Sequence, residues 1–464
     1  MTLVIDRAYQ ILSKMLRLSF STILTLLLIC VHLPAQEPWT LQSCIDYAVQ
    51  HSARMEVQLA DNRIQDLNLR DAKLGLLPGV SGGAGGGYNF GRTLDPETNT
   101  YTNIQYFGSS YNIGASMPLF AGFANLNNIR FERYGQLKGR KDAQKMADDI
   151  AVEVLQLYYE ALYRQGLVAL AQEQAELSGK EVERMRRQVE LGLKAKADIA
   201  ETEAKEAADE YTLVHSLNNF EDALINLKRK MNYPIEESIT LMAAPEELRQ
   251  VVGLVIRADS LYAVALERLP HHESSQLAVK QARAMLAVRR GLLFPSLSLG
   301  ADFSSRFYNT YRNEAGVTIP FGTQFSNNAS EYIGISLRIP IFSGLTRVSQ
   351  IQRARQNLKV AEAKHNDLLQ EVYKEVQKAV QALNASVKAY EQALKQERAR
   401  TLAYQVNVKK YDEGLISILE LYTSANLLLA AKVETIGNHL KMNAQRRLVA
   451  YYEGIPLSTV DINN

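Results

Sequence analysis

The chain has 464 residues, 47% of them hydrophobic, and its 52 Lys and Arg nearly cancel its 50 Asp and Glu, leaving a formal net charge of +2. Charges of both signs alternate as on solvated helix faces, so no basic surface is offered to a nucleic acid. Two cysteines, Cys30 and Cys44, exclude a cysteine-built zinc site, and Cys30 lies in the leader described next, which excludes an intrachain disulfide in the mature chain.

Residues 1–35 read as a secretory signal peptide, with translation starting at Met1 or at Met15. Lys14 and Arg17 precede an apolar run, and Ala35 is a small residue at the cleavage position. The run is short for a membrane span. Ile29 stands where lipidation of Cys30 wants a small residue. No later stretch is apolar enough for a transmembrane helix. An exported chain of this kind is periplasmic, secreted, or inserted in an outer membrane as strands.

Trp39 to Leu77 predicts a helix, with Thr40 as N-cap and Ile45, Ala48, Val49, Val57, Ile64 and Leu67 as its stripe. It stops at Leu77-Pro78-Gly79. Strict alternation follows. Val80, Gly82, Ala84, Gly86, Tyr88 and Phe90 share one face of a strand over about 79–92. A polar loop from Arg92 to Asn103 leads to a strand over about 105–120, with Tyr111, Ile113, Ala115, Met117 and Leu119 on one face. After Pro118 a helical period returns, marked by Ile150, Val154, Leu157, Tyr158 and Ala161, and is interrupted at Gly192. The segment at Asn232-Tyr233-Pro234 is irregular. A helix from about Pro245 to Leu269 and another up to Phe294-Pro295 follow. Strands are expected again over about 296–308 and 331–342, separated by a polar loop from Asn309 to Ser330. Asp302, Arg306 and Arg338 fall on the polar face.

The last long run starts at Ile339-Pro340-Ile341-Phe342-Ser343-Gly344. Ile351, Ala354, Leu358, Ala361, His365, Leu368, Val372, Ala379, Leu383, Val387, Tyr390 and Leu394 form a helix seam three and four residues apart. At about 1.5 Å per residue this helix is roughly 100 Å long. The run is punctuated once, at Tyr411-Asp412-Glu413-Gly414.

The two halves are a duplication. Pro118 and Pro340 are 222 residues apart, and so are Phe120 and Phe342, Gly122 and Gly344, Gly192 and Gly414, Asp198 and Glu420, and Pro234 and Pro456. The first repeat is taken as 36–244 and the second as 245–464. Each reads helix, strand, loop, strand, long helix, tip, long helix.

Ten-residue strands with an apolar and a polar face are the pattern of a membrane β-barrel. Four strands are too few to close one, because the smallest closed membrane barrels have about eight. Three chains would supply twelve strands, and their two helical hairpins each would form a twelve-helix tube. The expected fold is therefore mainly α with membrane β: a trimer whose twelve-stranded barrel continues into a periplasmic α-barrel. Glycine at each tip suits a left-handed helix reversal.

These features resemble the TolC-like outer-membrane efflux family over essentially the whole mature length. The resemblance rests on Pro118-Leu119-Phe120-Ala121-Gly122 and Pro340-Ile341-Phe342-Ser343-Gly344, and on the tip Tyr411-x-x-Gly414-x-x-Ser417-x-Leu419-Glu420-Leu421 with its first-half counterpart from Glu190-Leu191-Gly192 to Asp198-Ile199. It implies a homotrimeric exit duct of a tripartite efflux or type I secretion system in the outer membrane of a Gram-negative bacterium. Such a duct faces outer-membrane lipid, has a large periplasmic portion, and docks on a periplasmic adaptor (membrane fusion) protein and an inner-membrane transporter of RND or ABC type. It implies a periplasmic gate at Glu420, Tyr411 and Asp198. It implies adaptor-docking tips at Gly192, Leu193, Gly414 and Leu415, and barrel-to-helix junctions at Pro118, Gly122, Pro340 and Gly344. The chain departs from the family at Ile416, often Arg, and at Thr423, often acidic. An ionic lock would then be weaker or would draw on Lys409, Lys410, Lys194 or Lys196.

No catalytic, cofactor or metal constellation is expected. His271-His272 follows Pro270 and reads as a surface turn, because adjacent side chains do not converge on one ion. His365 lies on the helix seam and reads as a packed histidine. Gly82–Gly87 lacks the Gly-Lys-Ser/Thr that a phosphate loop needs. Two rival readings remain at this level. An adhesive or structural coiled-coil surface protein would have no conducting lumen, and a periplasmic binding module would have short helices around a pocket.

Overall fold

The computed structural model describes residues 38–94, 99–242 and 257–460. The expected leader, with Met15 and Cys30, lies outside the described residues, as does the stretch 243–256. The elements in order are α1 (Leu41–His51), α2 (Ala53–Leu74), β1 (Gly79–Leu94), β2 (Tyr101–Ala121), α3 (Ala124–Glu190), α4 (Lys196–Met231), α5 (Ala258–Arg268), α6 (Pro270–Gly291), β3 (Ser296–Tyr308), α7 (Phe321–Asn327), β4 (Ser330–Arg338), α8 (Thr346–Asp412) and α9 (Ile418–Tyr452). Both α3 and α8 have 67 residues. Two compact units result, one from the chain up to Ala48, Glu153–Val252 and Ala393–Leu440, the other from Val49–Val152, Gly253–Gln392 and the chain from Lys441.

The second unit holds a single antiparallel sheet in the order β1-β2-β3-β4. Its register follows the alternation of the sequence. Val80 pairs with Ala115, Ala115 with Ala301 and Ala301 with Ile333, so one apolar row crosses all four strands. Met117, Leu299 and Ile335 make the next. The rows are most open on the edge strands, where Ile333 is 79% exposed and Ile335 65%, and half-buried on β2 and β3. Asp302, Arg306 and Arg338 lie on the opposite face and are exposed. Gly82–Gly87 sit inside β1, opposite Ile113 to Gly108.

The two prolines fare differently: the strand expected to about 120 keeps Pro118, whereas the one expected to about 342 ends before Pro340. β2 runs past Pro118 to Ala121, because a register shift between Pro118 and Phe120 carries the ladder around the missing N–H. β4 stops at Arg338, two residues short of Pro340, and 339–343 has no regular structure. The loop expected from Asn309 to Ser330 contains α7, whose seven residues are too few to show a period.

The expected helix from Trp39 to Leu77 is two helices. Ser52 is extended (φ −70°, ψ 125°) and separates α1 from α2. Thr40 caps α1 as expected: the Ser43 N–H donates to Thr40 Oγ1 at 3.1 Å, and the Thr40 N–H to Ser43 Oγ at 2.8 Å. The break divides the stripe. Ile45, Ala48 and Val49 are fully buried, whereas Val57 and Ile64 are exposed. On α8, every predicted seam residue is buried or half-buried.

In the first unit, the Tyr158 hydroxyl donates to the carbonyls of Met242 (2.6 Å) and Trp39 (3.1 Å). Trp39, Tyr47 and Tyr233 meet edge to face with centroids 5.3–5.4 Å apart. In the second unit, His271 and His272 stand in the first turn of α6 rather than in a surface turn, since Pro270 fits the first helical position. They point apart. His271 lies 3.9 Å from Asp149, and the His272 ring packs 5.3 Å from that of His365, which bonds Ser275 at 3.1 Å.

Also in the second unit, the Tyr451 hydroxyl donates to Asp148 Oδ2 at 3.0 Å. Burial pushes the Asp148 carboxyl up to about 6, with the Tyr451 bond opposing and Asp149 adding. The folded chain therefore holds this proton more tightly than the unfolded chain, whose Asp titrates near ~3.9. The contribution to stability is present below about pH 4 and lost as pH rises through about 6. Asp148→Asn keeps an acceptor for Tyr451 and removes the titration. It is expected to stabilise by roughly 1–2 kcal/mol at pH 8 and to have little effect at pH 4. Thermal melts at both pH values check this, and a shift in melting temperature that is equal at the two would refute it.

Candidate functional site

The two hairpin tips, both in the first unit, are built alike. At each, glycine takes the left-handed conformation, Gly192 and Gly414 both at φ +75°. In each, the N–H three residues past the helix bonds back into its last turn: Leu193 to Gln188 O and Leu415 to Lys410 O, both at 2.8 Å. The glycine N–H closes a second bond, Gly192 to Val189 O and Gly414 to Tyr411 O, both at 3.0 Å. This double bond pattern satisfies the terminal carbonyls of α3 and α8 and ends the helices at the glycine. Leu193 and Leu415 then project into solvent at 69% and 68% exposure.

The two acidic positions, alike in sequence, differ in what they do. Asp198 accepts the Ala195 N–H at 3.1 Å through Oδ2, which caps α4. In the second copy the bond runs the other way: Ser417, at the position of Ala195, accepts the Glu420 N–H through Oγ at 3.2 Å. The Glu420 side chain is left exposed at the start of α9.

Tyr411 is buried and packs with Met185, Ile418 and Leu421. The Lys194 ammonium stands 4.4 Å from its ring centroid. Its hydroxyl is buried and has no hydrogen-bond partner. Burial first, then the carboxylates of Glu181 and Asp198, push its pKa up to about 12. Sequence reasoning missed the charged link beside it, where Arg184 reaches both Asp412 (3.3 Å) and Glu181 (3.2 Å). Asp412 sits inside the tip motif, but nothing in the sequence singled out Arg184. Of the four lysines offered as lock partners, Lys194 is the one the structure brings against Tyr411. Beside this cluster lies a cavity of about 230 Å³, lined by Leu177, Glu181, Tyr404, Tyr411, Leu421 and Tyr422 among others.

The junction residues lie in the second unit. Gly122 and Gly344 both have positive φ (+58° and +57°), each followed by a second left-handed residue, Phe123 and Leu345 (both +62°). Their surroundings differ. A Cβ at Gly122 would stand 2.1 Å from the Gly291 carbonyl oxygen, whereas one at Gly344 would meet nothing within 4 Å. Pro118 lies within β2 and Pro340 beyond the end of β4.

The tip core makes a direct prediction. Tyr411→Phe removes an unpartnered hydroxyl and is expected to change stability by less than about 1 kcal/mol, while Tyr411→Ala empties the cluster and costs roughly 3 kcal/mol. Denaturation of both variants measures the gap, and equal losses would show that the hydroxyl rather than the ring carries the contact.

Among the described residues no helix is long and apolar enough to cross a membrane, and no group of three His, Cys, Asp or Glu is placed to hold a metal. A family model described as outer membrane efflux protein matches residues 45–232 and 261–451. The outer membrane efflux protein BepC of Brucella suis biovar 1 (strain 1330) is 21% identical over 430 residues, which cover 90% of this chain and 88% of that protein. The alkaline protease secretion protein AprF of Pseudomonas aeruginosa is 24% identical over 366 residues, 75% of this chain and 72% of that one. The solved structure of the outer membrane protein VceC from Vibrio cholerae shares the fold with a TM-score of 0.73 at 14% identity, covering 90% of this chain and 97% of that chain. With two matches that together take in most of its length, the chain belongs to the outer membrane efflux protein family, the TolC-like channels of the Gram-negative outer membrane.

Proposed function

We propose that three copies of this chain close one pore, a twelve-stranded barrel in the outer membrane continuous with a twelve-helix periplasmic tube, and that this pore is a passive exit duct rather than an enzyme. One observation carries the reading: a four-stranded sheet with an exposed apolar face and two unpaired edges, in a chain with no membrane-crossing helix among its described residues. Such a sheet is not stable alone in water or in lipid. Each chain contributes two repeats, 36–244 and 245–464, and the recurrence of 67-residue helices at one offset supports that division. Electron cryo-microscopy of the detergent-extracted protein tests the assembly. Three chains around a continuous lumen are expected, and a monomer without one would sink the proposal.

The tips are the periplasmic end. Glu420, exposed and unused in capping, forms with its two symmetry mates a carboxylate ring that favours cations and repels anions. Asp198 and Tyr411 hold the shape of the closed tip, Asp198 by capping α4 and Tyr411 by its packing. Glu420→Gln is therefore expected to lower cation selectivity and raise conductance in planar bilayers, and unchanged values for both would remove Glu420 from the gate.

The tips also dock the periplasmic adaptor of a tripartite efflux or type I secretion system, which couples the duct to an inner-membrane transporter of RND or ABC type. Relatives named for efflux and for protease secretion support both settings. Leu193 and Leu415 are the apolar anchors, exposed on tight turns that hold them rigid. The double change Leu193→Asp and Leu415→Asp is expected to leave trimer assembly intact and to abolish adaptor capture in a cross-linking assay. Normal capture with normal assembly would move the docking surface elsewhere.

A further inference from the structure

The short helix α7 has no part in the gate or in docking, yet it is tightly built into the sheet. β4 begins at Ser330, opposite Ser304, so the edge of β3 from Ser305 to Tyr308 has no strand beside it. Side chains from α7 and its flank take over that edge. Gln324, 2% exposed, accepts the Tyr308 N–H at 3.0 Å and donates to the Tyr308 and Ile319 carbonyls, both at 2.8 Å. Asn328 donates to the Arg306 carbonyl at 2.8 Å, and the Ser305 hydroxyl to that of Phe325 at 2.7 Å. Two amide side chains thus do for β3 what the next residues of β4 would have done.

The helix lies on the apolar face. Phe321 and Phe325 both pack on Tyr111 at 5.6 Å, Phe321 on Phe307 at 5.5 Å and Phe325 on Phe303 at 6.3 Å. Those strand residues share the face that bears Ile113, Ala115 and Ile333. The segment 316–330 contains no charged residue. Phe321 is 46% exposed and Val317 61%.

Dimensions point the same way. Apolar rows run on β3 from Leu297 to Phe303, the last of them already touched by Phe325, over about 23 Å of strand at roughly 3.3 Å per residue. Tilted by about 45°, that spans only ~16 Å of membrane, against a lipid-facing band of about 25 Å. On β4 the band ends at Glu331, opposite Phe303. The rows at Ser305 and Phe307, which α7 covers, lengthen it to roughly 26 Å by the same arithmetic.

We propose that α7 is seated in lipid, at the outer end of the apolar face, where it completes the hydrophobic band with Phe321 and Val317 toward the acyl chains and seals the open edge of β3. This rests on the reading that the apolar face of the sheet turns outward to lipid. In hydrocarbon an open edge leaves its N–H and C=O groups without water, so the edge must be capped by the chain itself. A segment that folds onto the outer wall is also a segment withdrawn from the mouth of the pore.

Tryptophan fluorescence distinguishes the sides. The chain has a single tryptophan, Trp39, so Trp39→Phe gives a dark background for two reporters, Phe321→Trp on α7 and Ile333→Trp on β4. The full-length protein is reconstituted in vesicles of brominated phosphatidylcholine and of its unbrominated parent. Bromine is expected to quench both reporters at least twofold, with aqueous acrylamide quenching neither strongly. Quenching at 333 but not at 321, with acrylamide reaching 321, would overturn the lipid seat of α7 and leave the outward sheet intact. Failure of bromine to quench either would overturn the outward sheet itself. Should Trp39→Phe not fold, nitroxides on Phe321→Cys and Ile333→Cys in a Cys30→Ala background give the same comparison through oxygen and nickel-chelate accessibility. Cys44 does not compete for label, being buried with its thiol pushed up to about 12.

Discussion

The backbone hydrogen bonds that four strands leave unmade govern the rest of this chain. A sheet in the order β1-β2-β3-β4 has two bare edges and one face of uncovered apolar side chains. Water would solvate the edges but not the face, and lipid would accept the face but not the edges. Closure with further strands satisfies both, and the described residues of one chain offer no others. The proposed assembly of three chains answers that demand. The same demand acts locally where β4 falls short of β3, and the chain meets it there with Gln324 and Asn328.

The architecture was legible because it is written in periods and repeated. Alternation gave the sheet face, since the pleat has a period of two and tolerates no slip. The 3.6-residue seam gave α8, and the common offset of Gly192 and Gly414 placed both tips. Local exceptions were not legible. Ser52 divides a continuous apolar stripe, and nothing in the pattern separates a serine in extended backbone from one tolerated within a helix. Pro118 and Pro340 look alike, but a bulge keeps one in its strand and the other lies outside. The helix α7 is shorter than two turns, and its aromatic residues have meaning only against Tyr111, two hundred residues earlier in the chain.

The candidate site shows what duplication hides. Asp198 and Glu420 occupy one position in two copies, and sequence alone gives them one role. The side chain at the cap decides otherwise. At the first tip the acid bonds back to the Ala195 N–H, while at the second the serine at the cap takes the Glu420 N–H and the Glu420 carboxylate stays exposed. The resemblance placed Tyr411 at a gate without saying what it touches, and its surroundings are Met185, Ile418 and Leu421 under the ammonium of Lys194.

The paired glycines where strand passes to helix have diverged in the same quiet way. Both are left-handed, so both disfavour a side chain on conformational grounds. At Gly122 the backbone of Gly291 also leaves no room, and the reverse holds at Gly291, where a Cβ would stand 2.6 Å from the Gly122 oxygen. Gly344 has open space around it. The first passage is thus a backbone-to-backbone weld that drift in the sequence cannot relax, since a side chain at either position meets the other's backbone whatever residue stands there. The second carries only the modest cost of an unfavourable dihedral, which an asparagine could meet. Among homologues, variation at this point of the fold should therefore accumulate in the second copy, while residues 122 and 291 both stay glycine, because no change at one makes room for a change at the other.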